Sequence, residues 1–194
     1  MKTFSKEPGL EKAKTILCPV CGLAQTRPQW QYESFSFVRC KGCGLVYQNP
    51  QPIPNDLAVR YDEEYFAYEI QNEDSFYRLA KLGLGDIGFD GSVAALTGER
   101  RSILDVGCAT GRLLAGFKAD GWQVQGVEIC KPAAEYGIEH HGVPIHIGTL
   151  ETGSFRDGSF GVVNCSHVIE HLADPAAFVG EARRILTPGG WLVI

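Results

Sequence analysis

The chain has 194 residues, 44% hydrophobic and 21% charged, which describes one full globular domain, or one domain plus a small appendage, and excludes a disordered chain. Its net charge of −5, from 18 Lys/Arg against 23 Asp/Glu, argues against a general attraction to nucleic acid or an anionic membrane and leaves room only for a local basic patch. No apolar run approaches the ~20 residues needed to cross a bilayer. The N-terminus also lacks the apolar core and cleavage site of a signal peptide. The expected location is therefore cytoplasmic, where seven cysteines are metal ligands or buried thiols rather than disulfides.

Residues 1–14 are polar and expected to fray. Cys18-Pro19-Val20-Cys21-Gly22 and Cys40-Lys41-Gly42-Cys43-Gly44 then repeat one device: two thiolates three positions apart on a tight turn, with a glycine whose backbone freedom lets amides point at the sulfurs. Two such knuckles 18 residues apart complete a tetrahedral site of zinc-ribbon type, with Cys18, Cys21, Cys40 and Cys43 as ligands. Four sulfurs leave no open position, so the metal is structural. Zn2+ is the first choice and iron in a rubredoxin-like site the competitor. The run of about 35 residues is too short for an independent core, so the metal would supply folding free energy. Short β-prone runs, Phe35–Arg39 and Leu45–Tyr47, lie between the ligands.

Asn49-Pro50-Gln51-Pro52-Ile53-Pro54 reads as a stiff linker. From Asn55 to about Thr97 the chain is acidic and aromatic. Phe76, Leu79 and Leu82 have helical spacing, predicting one or two helices before Gly83, Gly85, Gly88 and Gly91 loosen the chain. Tyr61, Tyr65 and Phe66 would form either a lid over a ligand or ordinary core.

From Arg101 strands and helices alternate. Strands are predicted at Ser102–Val106, Gln123–Glu128, Pro144–Ile147, Phe160–Cys165 and Trp191–Ile194, and helices at Gly111–Ala119, Pro132–His140 and Pro175–Leu186. Asp174 before Pro175 is a helix start, with Phe178, Ala182, Ile185 and Leu186 on the buried face. Such alternation means a Rossmann-like, doubly wound parallel α/β sheet with right-handed crossovers. The expected organisation is a four-cysteine zinc-ribbon module over 1–50, a linker and helical lid over 51–97, and an α/β ligand-binding domain over 98–194.

In such a sheet ligands bind at the carboxyl ends of the strands. Converging there are the turn Gly107-Cys108-Ala109-Thr110-Gly111, the acid Glu128 at the end of the second strand, and Asn164-Cys165-Ser166-His167 after the fourth. Glu128 is placed to accept bonds from ribose hydroxyls. A dinucleotide wants G-x-G-x-x-G, whereas here the spacing is Gly107, Ala109, Gly111 with no later glycine. Asp105 would repel a pyrophosphate but suits the ammonium group of an amino acid. An adenosine joined to an amino acid, S-adenosylmethionine, satisfies both acids. The alternative for Asp105 is a structural acid bonded to backbone amides of the turn. Ala109 is tolerable if its φ is negative and damaging if the turn needs positive φ. Cys108, Cys130 and Cys165 have no metal spacing and read as small buried residues.

The segments ILDVGCATGRLL, VQGVEI, SFGVVNCSHVIEHLADP and RILTPGGWLVI resemble, in order, the motifs of class I S-adenosylmethionine-dependent methyltransferases. The cysteine module followed by LVYQNPQP and YDEEYF resembles a subgroup with an N-terminal zinc-binding region. The resemblance implies that Gly107, Cys108, Ala109 and Gly111 approach the methionine part, which Asp105 orders. It further implies that Glu128 holds the ribose, and that Ile129 and Thr149-Leu150-Glu151 border the adenine. Asn164 and Cys165 offer carbonyls, and His167 stands near the methyl-transfer face. His167 is either a general base for the acceptor or a bystander, while Glu170 and His171 are expected to bond backbone and fix the loop. The implied acceptor is a small molecule. The alternatives are an RNA-directed enzyme, which the acidic balance disfavours, and a non-catalytic binding module.

Three departures from the family pattern stand out: Ala109 for a glycine, Gly161 for an aspartate, and an end at Ile194 inside the fifth strand, where the family adds two more. The sheet is thus expected to be C-terminally incomplete, the piece of a longer protein.

Overall fold

The computed structural model describes residues 13–52, 63–172 and 174–194. The fraying expected for 1–12, the linker residues Ile53 and Pro54, and Tyr61 lie outside the described residues. The chain divides into two compact units, Met1–Asp56 and Leu57–Ile194.

In the first unit, β1 (Ala13–Lys14) pairs antiparallel with β5 (Gln51–Pro52). Ala13 and Lys14 are therefore strand rather than frayed end, and Gln51 and Pro52 close a ladder rather than begin a linker. Asn49 secures this closure: its side chain accepts from the Ile16 amide at 3.0 Å and donates to the Ile16 carbonyl at 3.1 Å. Strands β2 (Thr26–Tyr32), β3 (Phe35–Cys40) and β4 (Val46–Gln48) form an antiparallel sheet in that order. One face of it, through Val38 and Tyr47, packs with Ile16, Leu23 and Leu45 around Cys18 and Cys40.

The second unit holds a five-stranded, all-parallel sheet. Its strands are β6 (Ser102–Val106), β7 (Gln123–Glu128), β8 (Ile145–Ile147), β9 (Phe160–Asn164) and β10 (Leu186–Val193), in the order β10-β9-β6-β7-β8. Strand order reverses at β6, which places the crevice for a ligand above its carboxyl end. The helices are α1 (Glu63–Asp86), α2 (Phe89–Val93), α3 (Arg112–Ala119), α4 (Lys131–Tyr136) and α5 (Pro175–Ile185). Asp174 caps α5 as expected, its carboxylate accepting from the Ala177 amide at 2.9 Å. Two cores flank the sheet. Ile103, Leu114, Phe117 and Trp122 lie in one, and Leu104, Val163, Phe178 and Ile185 in the other.

Three elements depart from the sequence expectation. Helix α1 runs unbroken through Gly83 and Gly85, because packing of its face on α3 and α4 outweighs the roughly 1 kcal/mol that each glycine costs a helix. Leu79 and Leu82, whose spacing predicted a helix here, lie on it exposed. The helix predicted over Pro132–His140 becomes α4 followed by a π-helical turn, Gly137–His141. That turn fits against the Thr110 carbonyl only because Gly137 has no side chain: a Cβ there would stand 2.4 Å from the oxygen. Strand β10 begins at Leu186 rather than Trp191. Leu186 leaves the predicted helix and pairs with Phe160, and the register then shifts before Trp191 pairs with Val162.

Gly161 is explained by the same kind of crowding. A Cβ at this position would lie 1.9 Å from the Arg100 carbonyl oxygen, so the aspartate usual in the family cannot be accommodated.

Candidate functional sites

The apolar strand β6 ends and the chain turns sharply at Gly107, Cys108, Ala109, Thr110 and Gly111 before α3 begins. Gly107 and Gly111 have φ of 75° and 72°. A Cβ would approach Val168 to 2.5 Å at the first and Val143 to 2.6 Å at the second, so both positions require glycine on two counts. Ala109 has φ of 47°. The turn therefore does need a positive φ where the sequence departs from glycine, and the alanine carries the strain. Cys108 turns its sulfur inward, onto the space that Gly126 leaves on β7, and presents only backbone to the crevice side.

Glu128 organises this turn. Its Oε2 accepts from the Ala109 amide at 2.8 Å and its Oε1 from the Cys130 amide at 2.7 Å. Burial raises its carboxyl above the ordinary range, and these two amides pull in the opposite direction. Each oxygen keeps a further lone pair for a ligand hydroxyl. The carboxylate that was to hold a ribose thus also clips the ends of β6 and β7 together.

Asp105 sits beside it and is 5% exposed. Asn164, its cross-strand partner on β9, donates Nδ2–H to Asp105 Oδ1 at 2.7 Å. Burial raises the Asp105 carboxyl to about 7; the Asn164 amide opposes this and the charge of Glu128 adds to it. The alternative in which Asp105 caps the turn amides is not what the geometry shows, since Glu128 takes that place.

These groups open into a cavity of about 1020 Å3. Asp105, Gly107, Cys108, Ala109, Glu128, Ile129, Leu150, Asn164 and His167 all line it. Gly111 and Cys165 do not; Cys165 is fully buried and gives its amide to the Val193 carbonyl at 2.9 Å. His167 has φ of 57°, and its Nδ1 stands 3.7 Å from Glu170 Oε1, beyond hydrogen-bond range. Glu170 thus faces His167 instead of bonding backbone through its side chain.

The remaining wall comes from α1, whose Tyr65, Glu69, Glu73, Phe76 and Tyr77 lie on one helical face over the cavity. Phe66 turns away to pack on Tyr136 at 6.1 Å between centroids. Three contacts anchor this helix: Glu73 with His141 Nε2 at 2.8 Å, Asp74 with Arg112 at 3.4 Å, and the Arg112 guanidinium 4.1 Å over the Tyr77 ring. Arg112 directly follows the glycine turn. Glu69 escaped the sequence reading, although its i, i+4 spacing between Tyr65 and Glu73 marks the face. Desolvation raises its carboxyl, while a hydrogen bond from Tyr65 opposes that.

Comparison with known proteins bears on the class of this unit. Residues 104–194 match the family described as methyltransferase domain. In those residues the chain is similar to methyltransferase domains. A ubiquinone biosynthesis O-methyltransferase of Bordetella bronchiseptica is 32% identical over 111 residues, 52% of this chain and 44% of that protein. One from Paracidovorax citrulli is 29% identical over 146 residues, 72% and 60% of the two chains. A solved S-adenosylmethionine-dependent methyltransferase from Archaeoglobus fulgidus shares the fold, with a TM-score of 0.51, 23% identity, and coverage of 68% of this chain and 57% of that one. The chain spans less than half the length of the first curated relatives it matches. The matched region includes the acids Asp105 and Glu128, on either side of the glycine turn.

In the first unit the four cysteine sulfurs lie within 4.8 Å of one another, with Cys18–Cys43 and Cys21–Cys40 each at 3.5 Å. Thiolates around one tetrahedral zinc stand about 3.8 Å apart, as follows from a Zn–S bond of about 2.3 Å, so the donor set fits. The two knuckles are near-copies. Gly22 donates to the Cys18 carbonyl at 2.9 Å and Gly44 to the Cys40 carbonyl at 3.1 Å, both glycines with positive φ. The Cys43 and Gly42 amides, aimed at the Cys40 sulfur, lower its thiol to about 6. No helix among the described residues is long and apolar enough to cross a membrane.

Proposed function

We propose that the chain transfers a methyl group from S-adenosylmethionine to a small-molecule acceptor, and that Cys18, Cys21, Cys40 and Cys43 hold a structural Zn2+. The observation that carries the first part is the pairing of Asp105–Asn164 with the backbone-clamped Glu128 at the mouth of one cavity. The cofactor supplies an electrophilic methyl on a sulfonium sulfur. Asp105 offers a buried anion to the ammonium end, and Glu128 offers its remaining lone pairs to two vicinal hydroxyls. Gly107 and Ala109 present backbone, Ile129 and Leu150 apolar surface, and Asn164 its carbonyl. His167, exposed at the rim, is the candidate to take a proton from the acceptor. The cysteine module of the first unit, the helical lid that α1 forms, and the cofactor-binding domain over 98–194 divide this work.

The name of the curated relatives, ubiquinone biosynthesis O-methyltransferase, supports a small acceptor. Catalysis in such a site is chiefly positioning, because holding two reactants in line removes most of the entropic barrier. Calorimetry with S-adenosylmethionine and with NAD tests the cofactor assignment. One-site binding of the first and none of the second is expected, and preference for NAD overturns it. Methyl transfer from labelled cofactor to a panel of phenols, amines and sugars then tests the activity.

A further inference from the structure

The sheet of the first unit has two faces of different character. Val38, Cys40 and Tyr47 point to the cysteine core. The other face follows from the register, in which Arg27 stands opposite Arg39, Trp30 opposite Phe37 and Tyr32 opposite Phe35. Strict alternation would send Trp30 to the same side as Pro28. The register shift between Pro28 and Trp30 inserts Gln29 as a bulge and turns Trp30 onto the face of Arg27 and Arg39. The result is a continuous row of Trp30, Tyr32, Phe35 and Phe37 ending in two arginines.

This row is open. Trp30 is 52% and Tyr32 65% exposed, and every β2 residue after Thr26 is exposed. Trp30 stacks on Phe37 with centroids 5.2 Å apart and planes at 27°, which fixes the indole on the edge strand β2 with one ring face covered and the rest open to solvent. The Arg39 guanidinium is oriented by neutral acceptors alone, Gln29 Oε1 at 2.9 Å and the Gly44 carbonyl at 3.0 Å. None of the ion pairs among the described residues involves Arg27 or Arg39. Two like charges directly opposite on a sheet repel, so the pair gains from an anion laid across it. Residues 1–56 carry seven Lys/Arg against four Asp/Glu in a chain of net charge −5, so positive charge is gathered in this unit.

We propose that this face binds single-stranded nucleic acid, with bases stacking on Trp30 and Tyr32 and phosphates crossing Arg27 and Arg39. Flat aromatic side chains flanked by arginines on an open sheet meet both needs of a flexible polyanion with π-faces. An acidic peptide would satisfy the arginines but leave the aromatic row without planar partners. The face belongs to the first unit alone, and it is the local basic patch that the overall charge leaves possible.

The test is fluorescence anisotropy of the full chain with labelled oligo-dT and oligo-U of about 15 nucleotides, in parallel with a labelled poly-glutamate peptide and a DNA duplex. Saturable binding of the single strands at low salt is expected, weakening as salt rises. Trp30→Ala should lose about tenfold in affinity. Arg39→Gln should flatten the salt slope by about 0.7, one single-strand contact. Glu33→Lys, in the β2–β3 turn, should tighten binding. Metal content and S-adenosylmethionine affinity should match the parent in all three variants, which separates a lost site from a lost fold. No single-strand binding by the parent, equal binding of poly-glutamate, or parent-like affinity in Trp30→Ala each overturns the proposal.

Discussion

Asp105 offers the sharpest test of the cofactor site, because the same burial that prepares it for a cation destabilises the fold. An aspartate in the unfolded chain titrates near 3.8, whereas burial places this one at about 7 when folded. Between those values the folded state holds a proton that the unfolded state has released, so stability falls as pH rises through the window. At about 1.4 kcal/mol for each unit of the gap, the full cost above pH 7 is about 4 kcal/mol. Asp105→Asn removes the charge and keeps an oxygen to accept from Asn164. In urea denaturation the variant should match the parent near pH 4 and exceed it by up to about 4 kcal/mol at pH 8. Glu128, also raised by burial, will leave a residual slope common to both proteins. Calorimetry should show the opposite sign: the parent binds S-adenosylmethionine more tightly as pH rises through about 7, and the variant binds weakly at every pH. A stability difference that stays flat between pH 5 and 8, or unchanged affinity in the variant, refutes the reasoning.

Ala109→Gly should relieve the positive φ at the turn and raise stability by about 1 kcal/mol, seen as a higher urea midpoint. Gly161→Asp, which restores the usual family residue, should instead destabilise by about 3 kcal/mol or more through collision with the Arg100 carbonyl; a neutral result in the same assay would show that the 98–101 loop yields freely. His141→Ala removes a partly buried anchor of α1, and should cost about 1 kcal/mol of cofactor affinity while exposing α1 to limited proteolysis. Protein purified without added metal should contain one zinc per chain by mass spectrometry, and Cys40→Ser should release it and leave residues 13–52 open to protease.

The sheet of the second unit was legible because buried parallel strands read as apolar runs. β6 at Ser102–Val106 and β9 at Phe160–Asn164 are buried along their whole length, and β7, at Gln123–Glu128, is read instead from its alternation. The four cysteines were legible for a different reason, since ligand spacing is itself the geometry. What the sequence hid was tertiary. Gly83 and Gly85 look like breaks until the face of α1 has something to pack against. Thr187-Pro188-Gly189-Gly190 looks like a loop, and it forms the irregular stretch of β10 between Leu186, paired with Phe160, and Trp191, paired with Val162. The roles of Gly137 and Gly161 appear only when a carbonyl from a distant segment is brought to 2.4 Å and 1.9 Å of where a Cβ would be.

At the site itself, residue types pointed to two acids, and their partners decide what each acid does. The short loop after β6 needed an anion to hold its amides, and either Asp105 or Glu128 was chemically suitable. Asp105 is already inside the strand, where its side chain leaves toward β9 and meets Asn164. Glu128 ends β7 with its carboxylate free to reach back to Ala109 and forward to Cys130. The division of labour therefore follows from strand register alone. One acid is spent partly on structure and keeps only spare lone pairs for hydroxyls. The other retains a buried charge whose natural partner is a cation. In the proposed function that asymmetry suits an amino-acid-bearing nucleoside, and it is why Asp105, rather than the glycines, is the residue whose substitution should separate loss of ligand from loss of fold.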